Sequence, residues 1–401
     1  MDPRDIAIAD LTYDLPAERI AQRPLAERDA TKLLVWRGGM IHDRTFRELP
    51  EELPSNTLLV LNDTRVVHAR LAFRRSTGAL IECMVLSPAD ERAIELALLD
   101  RNETRWWCMV GNAKRWKGEE LIAEKDGRVL RMERVAVRDG EHLIRFRWEG
   151  KEPFALQLEH FGSVPLPPYM RRAADAEDDI RYNTIFSERP GSVAAPTASL
   201  HFTESLMTAL ERKGVRTTRV TLHVGAGTFL PVKSATMKEH AMHGEQVRIA
   251  RATVEALLEQ VGKGPIVPVG TTALRTIESL YWFGSDLVAG KAATMLHVEQ
   301  WRPYAGAAEP STEEALQAVI GWLDRYEMDL VTGTTRLLIA PGYRFRLADG
   351  LITNFHQPQS TLLLLVAALV GPPWRRIYDH ALANGYRFLS YGDGSLLWGR
   401  T

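Results

Sequence analysis

"VLRMER" (Val129–Arg134) and "LIRFRW" (Leu143–Trp148) decide how this chain is divided. Leu130 and Met132 alternate with Arg131 and Glu133 in the first; Ile144, Phe146 and Trp148 alternate with Arg145 and Arg147 in the second. A period of two places every apolar side chain on one face of a strand and every charge on the other. From about Thr64 to Pro153 such runs recur, broken by Gly and charged turns. This texture predicts a small antiparallel sheet or barrel.

Outside that block the texture changes. "NTLLVLND" reads as a buried strand and "TESLMTALERKG" as an amphipathic helix closed by Gly214. "VRTTRVTLHVG", "PIVPVG", "TRLLIAPG" and "GLITNF" read as strands. "ATVEALLEQVGKG", "TTALRTIESLYWFG", "EEALQAVIGWLDRYE", "STLLLLVAALVG" and "WRRIYDHALANG" read as helices. Strand and helix in alternation predict an α/β fold. The expected architecture is an α/β core domain, residues 1–63 and 154–401, with an inserted antiparallel β-barrel domain, residues 64–153.

Composition narrows the function classes. The 401 residues are 45% hydrophobic and 25% charged, an ordinary globular profile. Fifty basic against 51 acidic residues give a net charge of -1, which excludes a blanket polycation but leaves room for a local basic patch. Cys83 and Cys108 are the two cysteines, so neither a disulfide framework nor a four-cysteine zinc site is possible. The start, MDPRDIAIADL, lacks the pattern of a signal peptide, and the apolar run Leu362–Val370 is about half a membrane span. A cytoplasmic protein is expected, and a monomer, because no dimerisation heptad is visible.

Several short stretches bring together residue types suited to chemistry. "GSVAAPTASLHFT" (Gly191–Thr203) strings small residues around Pro196 before delivering His201. Small side chains permit a close approach of backbone to ligand, so the stretch reads as a wall. "VPVGTTALRT" joins a strand to a helix N-terminus through Gly270, Thr271 and Thr272, with Arg275 one turn on; such an end holds anions, or is simply capped by threonine. "TLHVGAGTFLPV" places His223 at a strand end before Gly225, Gly227 and Phe229. "HAMHGE" sets His240 and His243 three apart, a spacing that on a helix puts both on one face, yet no third ligand stands at a recognised spacing, so no metal is expected. "DGLITNFHQPQSTLLLLV" brings Asp349, Asn354 and His356 to a strand with Ser360 beyond, without the GxSxG elbow of a serine hydrolase. "GYRFLSYGDG" offers Tyr391 and Asp393. Arg101–Gly118 interleaves Arg105, Lys114, Arg115 and Lys117 with Trp106, Trp107 and Trp116, as a surface for RNA phosphates and unpaired bases would; otherwise the tryptophans are core and the basic groups a solvated face.

In order, "YDLPAERIAQRPLAERDATKLLV", "LNDTRV", "PLPPYMRR", "RYNTIF", "GSVAAPTASLHFT", "VTLHVGAGTFLPV", "HAMHGE", "VGTTALRTIES", "APGYRF", "DGLITNFHQPQSTLLLLV" and "YRFLSYGD" closely resemble the S-adenosylmethionine:tRNA ribosyltransferase-isomerases of queuosine biosynthesis. The resemblance spans nearly the whole chain. It departs at Ser199, where the family has glycine, and at His68 and Ala79. It implies a two-domain protein, an α/β core with an inserted barrel. It also implies transfer and isomerisation of the ribosyl group of S-adenosylmethionine onto 7-aminomethyl-7-deazaguanine at the tRNA wobble position. Epoxyqueuosine forms, and adenine and methionine leave. S-adenosylmethionine is then a co-substrate, no prosthetic group is needed, and the partner is a tRNA with a GUN-type anticodon.

That chemistry needs at least one base and one acid. His201 and His223 are the first candidates, with His243 and His356 behind them; Asp63, Glu278, Asp349 and Asp393 are candidates for orienting a histidine or holding ribose hydroxyls. Thr271, Thr272 and Arg275 would take the methionine carboxylate. Tyr391 or Phe229 would stack on adenine, and Thr197, Gly225, Gly227 and Asn354 would complete the substrate site. Two other readings are a non-catalytic tRNA-binding protein and a different S-adenosylmethionine-dependent RNA-modifying transferase, which would release no adenine.

Overall fold

The computed structural model describes residues 2–225, 232, 234–306 and 309–399. The alternating runs become a curled, seven-stranded antiparallel sheet. Its strands lie side by side in the order Gly162–Ser163, Arg70–Arg74, Leu80–Pro88, Glu103–Gly111, Glu141–Trp148, Arg128–Arg138 and Leu121–Lys125. Curling brings Leu121–Lys125 back beside Arg70–Arg74 without hydrogen-bond closure, a half-barrel. The apolar face buries Phe73, Ile81, Trp106, Leu130, Met132, Ile144, Phe146 and Trp148 around Phe154, whose ring meets those of Trp106, Phe146 and Trp148 at 5.2–5.6 Å. Phe154 and Leu158 come from the helix Phe154–Phe161, so this packed unit continues past Pro153. At its other end, Thr64–Val66 pairs in parallel with Arg189–Ser192, outside the half-barrel.

The remainder forms two mixed sheets clothed by helices. A six-stranded sheet runs Ile266–Pro268, Leu58–Asn62, Arg216–Leu222, Glu245–Ala250, Leu330–Thr335 and Leu296–Val298. The first three strands are parallel, and the register between Arg216–Leu222 and Glu245–Ala250 is antiparallel. A four-stranded sheet runs Gly350–Asn354, Gly394–Trp398, Lys32–Arg37 and Met40–Thr45. A single bridge, Val269 to Ile352, joins the two sheets. One predicted strand moves: "TRLLIAPG" contributes only its first residue to a ladder that starts at Leu330. Beyond Thr335 the amides turn to isolated acceptors, Arg336 to Val298 and Leu338 to Gln300.

The helix Thr271–Val288 is buried through its first fifteen residues. A helix buried on every face must pair its polar side chains internally, as Arg275 does with Glu245 and Glu278 with Tyr343. Its start is set by Gly270, whose φ of +95° suits glycine and whose amide donates to Ile352 O at 2.7 Å. No helix among the described residues is long and apolar enough to cross a membrane.

Candidate active site

A cleft of about 700 Å³ opens where the bridge joins the two sheets. One wall is Ala194–Ala198, the small-residue stretch. The floor is Gly270, Thr271 and Thr272, and the far side is Thr353–Gln357 with Ser360, Leu389, Ser390 and Tyr169. The wall is held to the chain behind it: Ser192 Oγ accepts from Val224 N at 2.9 Å and donates to Ala194 O at 2.7 Å, while Val193 N donates to Val224 O at 3.0 Å. Gly270 supplies no side-chain cap, so the first N–H groups of an eighteen-residue helix meet the cleft with no side-chain acceptor of their own.

His356 is the histidine that lines this space. Its Nε2 lies 2.9 Å from Thr353 Oγ1, its N–H donates to Tyr378 OH at 3.1 Å, and its carbonyl accepts from Tyr13 OH. Nδ1 makes no hydrogen bond with any described residue. Burial pulls its pKa down to about 3, so the ring is neutral and Nδ1 is available to a ligand.

His201 lies one layer further back. Asn354 Nδ2 donates to Leu389 O at 2.9 Å and to Ser390 O at 3.2 Å, which turns Asn354 Oδ1 toward His201 Nε2 at 3.0 Å. An amide oxygen only accepts, so Nε2 carries the proton, and Nδ1 accepts from Thr31 Oγ1 at 3.0 Å. Burial pulls the His201 pKa down to about 4, with the Asn354 contact opposing. Both ring nitrogens are therefore spent on protein partners. The network ends on Leu389, whose φ of +70° is strained for a side chain of that size.

His223 is also behind the wall. Its Nδ1 lies 2.9 Å from Thr64 Oγ1, and its Nε2 lies 3.2 Å from Glu95 Oε1 on the half-barrel, a charge contact without the alignment of a hydrogen bond. A Cβ on Gly191 would come within 2.8 Å of the ring, so glycine is needed there.

The structure thus gathers Thr197, Thr271, Thr272, Asn354 and His356 at the cleft, with His201 and His223 supporting it. Other expected residues are placed elsewhere. Arg275 is buried in an ion pair with Glu245 and donates to Leu337 O, so its charge does not reach the cleft. Glu278 accepts from Tyr343 OH and from the amides of Arg346, Leu347 and Ala348, closing a loop on the far side of the helix. Burial raises its pKa against those hydrogen bonds. Asp349 stands just before the Gly350–Asn354 strand, at the end opposite the cleft, and accepts from Ile266 N at 2.8 Å. Asp63 accepts from Thr221. Asp393 accepts from the amides of Lys32 and Arg387. Tyr391 donates to Asp178, packs edge-on against Tyr182 and lines a smaller neighbouring cavity instead of this cleft. His243 is exposed in a segment that is not helical, and no group of three metal-binding side chains occurs among the described residues. Gly225 is half-buried beside the wall; Gly227 and Phe229 lie outside the described residues.

The basic stretch divides in two. Arg105, Lys114, Arg115 and Lys117 are exposed, whereas Trp106 and Trp116 are buried in the half-barrel. Trp107 is partly covered by Arg138, 4.3 Å from its ring centroid. No row of free aromatic faces is left for stacking bases. Ser199 Oγ, the departure in the wall, is buried with no hydrogen-bond partner. Sequence reasoning overlooked Tyr169, Gln357, Leu389 and Ser390, although each falls in one of the quoted motifs. Their side chains carry no titrating group near neutrality, which is why they were passed over.

Comparison with known proteins identifies the family. The model of a family described as "Queuosine biosynthesis protein" matches residues 8–397. The S-adenosylmethionine:tRNA ribosyltransferase-isomerase of Ruegeria pomeroyi is 41% identical over 97% of this chain and 99% of its own length. That of Azoarcus sp. is 39% identical over 98% and 97%. A crystal structure of S-adenosylmethionine tRNA ribosyltransferase from Thermotoga maritima aligns at 29% identity over 96% of this chain and 99% of that one, with a TM-score of 0.47. With a family match along almost its entire length and relatives near 40% identity end to end, this chain belongs to the queuosine biosynthesis protein family.

Proposed function

We propose that this chain transfers the ribosyl group of S-adenosylmethionine to 7-aminomethyl-7-deazaguanine at the wobble position of a tRNA and isomerises it to the epoxide of epoxyqueuosine. The observation that carries the reading is His356 Nδ1, open to a cleft that also holds a small-residue wall and an uncapped helix N-terminus. The methionine carboxylate is the natural ligand for the N–H groups beside Thr271 and Thr272, because the helix dipole favours negative charge there. The wall Ala194–Ala198 lets a flat purine or ribose lie against backbone.

In this reading His356 accepts the C5′ proton that the adjacent sulfonium acidifies. A ring with so low a pKa is always neutral but a weak base, so the driving force comes mainly from the sulfonium. Adenine departs with a proton at its nitrogen, the deazaguanine amine attacks in its neutral form, and epoxide closure expels methionine. His201 and His223 hold the cleft in shape. The same reading carries a core domain with the half-barrel as an inserted unit, a GUN-type anticodon as partner, no prosthetic group, a monomer and a cytoplasmic location. Product analysis by mass spectrometry tests it: the protein, S-adenosylmethionine and an anticodon stem-loop bearing the aminomethyl base should yield free adenine, free methionine and a heavier RNA. A methyl-sized gain without adenine would replace it with a methyltransferase.

A further inference from the structure

Arg28 and Arg181 are two half-buried cations that face each other. Arg28 Nη1 donates to Leu200 O at 3.1 Å and Nη2 to Ile180 O at 3.2 Å. Arg181 answers with Nη1 to Ala26 O at 3.2 Å and Nη2 to Leu25 O at 2.6 Å, while its Nε is buried with no partner. Every one of these acceptors is a neutral carbonyl. The carboxylate nearest to Arg181 is Glu177, at 4.0 Å. Burial lowers the pKa of Arg28, and the charge of Arg181 lowers it further. Two like charges taken partly out of water with so little compensation are costly unless an anion joins them.

The surroundings leave room for that anion. Both arginines line an open cleft of about 1260 Å³ together with Glu27, Asp29 and Arg47. The two carboxylates there are already engaged: Arg47 Nη2 is 2.6 Å from Glu27 and 3.2 Å from Asp29, and Asp29 also accepts from Thr203. Three arginines against two carboxylates leave a net positive wall. Both arginines also line a smaller cavity of about 260 Å³ with Thr31, His201, Ser390 and Tyr391. Ser390 is shared with the substrate cleft, so the cations sit one layer of residues behind it.

We propose that Arg28 and Arg181 form a phosphate-binding site that seats the RNA backbone next to the substrate cleft. The proposal rests on the ribosyltransferase reading, which requires an RNA whose target base enters that cleft. A phosphodiester offers the oxygens that guanidinium groups recognise, and the polymer beyond it accounts for the breadth of the outer cleft. The half-barrel, where Arg105, Arg131, Arg145 and Arg147 are already paired with Glu103, Glu120 and Glu133, is then not the sole grip on RNA.

The test is the salt dependence of binding of a fluorescent anticodon stem-loop between 50 and 300 mM KCl, with wild type, Arg28→Gln, Arg181→Gln and Arg181→Lys. Each Gln variant should weaken binding about three- to tenfold at low salt and lower the log–log slope by roughly 0.7 to 1, the share of one phosphate contact. Arg181→Lys should keep most of the slope. S-adenosylmethionine affinity, read alongside, should change little, and melting curves should show every variant folded at the assay temperature. Unchanged slopes in both Gln variants would overturn the proposal, as would an equal loss in Arg181→Lys and Arg181→Gln, which would make the pair a structural clamp. Inorganic phosphate that binds wild type saturably without displacing RNA would also overturn it, leaving a small-anion pocket. If wild type binds no RNA at all, the ribosyltransferase reading fails instead.

Discussion

His201 Nε2 donates to Asn354 Oδ1 across 3.0 Å, and that one contact ties a buried imidazole to the wall of the substrate cleft. Asn354 in turn holds the carbonyls of Leu389 and Ser390, and Leu389 stays at φ +70° because its carbonyl and amide are both engaged, the amide with Phe355 O at 3.1 Å. A histidine that looked like an acid–base group is a strut.

Removing the strut should therefore act on binding and stability more than on the chemical step. His201→Ala leaves Asn354 Oδ1 without its partner, a loss of about 1–3 kcal/mol for a buried polar group left unpaired, while Thr31 Oγ1 keeps Arg28 O at 3.3 Å. Urea unfolding should show that loss, and the KM for S-adenosylmethionine should rise while kcat falls less than tenfold. A thousandfold fall in kcat at unchanged KM would put His201 back among the reacting groups.

His356 should behave in the opposite way. His356→Asn keeps a polar side chain beside Thr353 but takes away the open Nδ1. A kcat lowered by about 10²–10⁴, with the KM for S-adenosylmethionine within threefold of wild type, is the signature of a lost proton acceptor. Adenine release, followed by chromatography, measures it directly.

The buried histidines also predict how stability depends on pH. Folding holds both rings neutral, at about 4 for His201 and about 3 for His356, whereas the unfolded chain takes up protons near the ordinary value of 6.5. The unfolded state binds more protons, so their contribution is complete above pH 6.5. It is lost progressively as pH falls from there toward the folded values, by about 1.4 kcal/mol per pH unit for each ring. Unfolding free energies at pH 7.5, 6 and 5 should fall along this slope, and His356→Asn should fall by one ring less.

Gly270 ends the strand and opens the helix whose N–H groups meet the cleft. Gly270→Ala would place a side chain at φ +95°, a strain of about 1–3 kcal/mol, with the new Cβ 3.5 Å from Thr272 Oγ1. Twisting the first turn should raise the KM for S-adenosylmethionine at least fivefold, measured by steady-state kinetics. The affinity for the RNA stem-loop should stay within twofold.

Much of this protein was legible in its residues. Period-two alternation in Val129–Arg134 and Leu143–Trp148 marked the half-barrel's inner face, because strand side chains must alternate whatever they pack against. The helix at Arg251–Gln260 followed from apolar spacing, and those at Glu204–Arg212 and Thr361–Val370 also from their caps, Thr203 and Ser360, all of which are local. The motifs named the family. What tertiary structure alone decided is which polar groups are spent. Arg275 and Glu278 follow Thr271 and Thr272 within two turns of the same helix, yet Glu245 claims the first, and a loop 68 to 70 residues further along the chain, at Arg346–Ala348, claims the second. His201, His223 and His356 have the same titratable ring, but only packing against Asn354, Thr64 and Thr353 left one of them with a nitrogen facing the cleft. A residue's type sets the chemistry it could do; its long-range partners, invisible in a linear string, settle whether any capacity remains for a ligand.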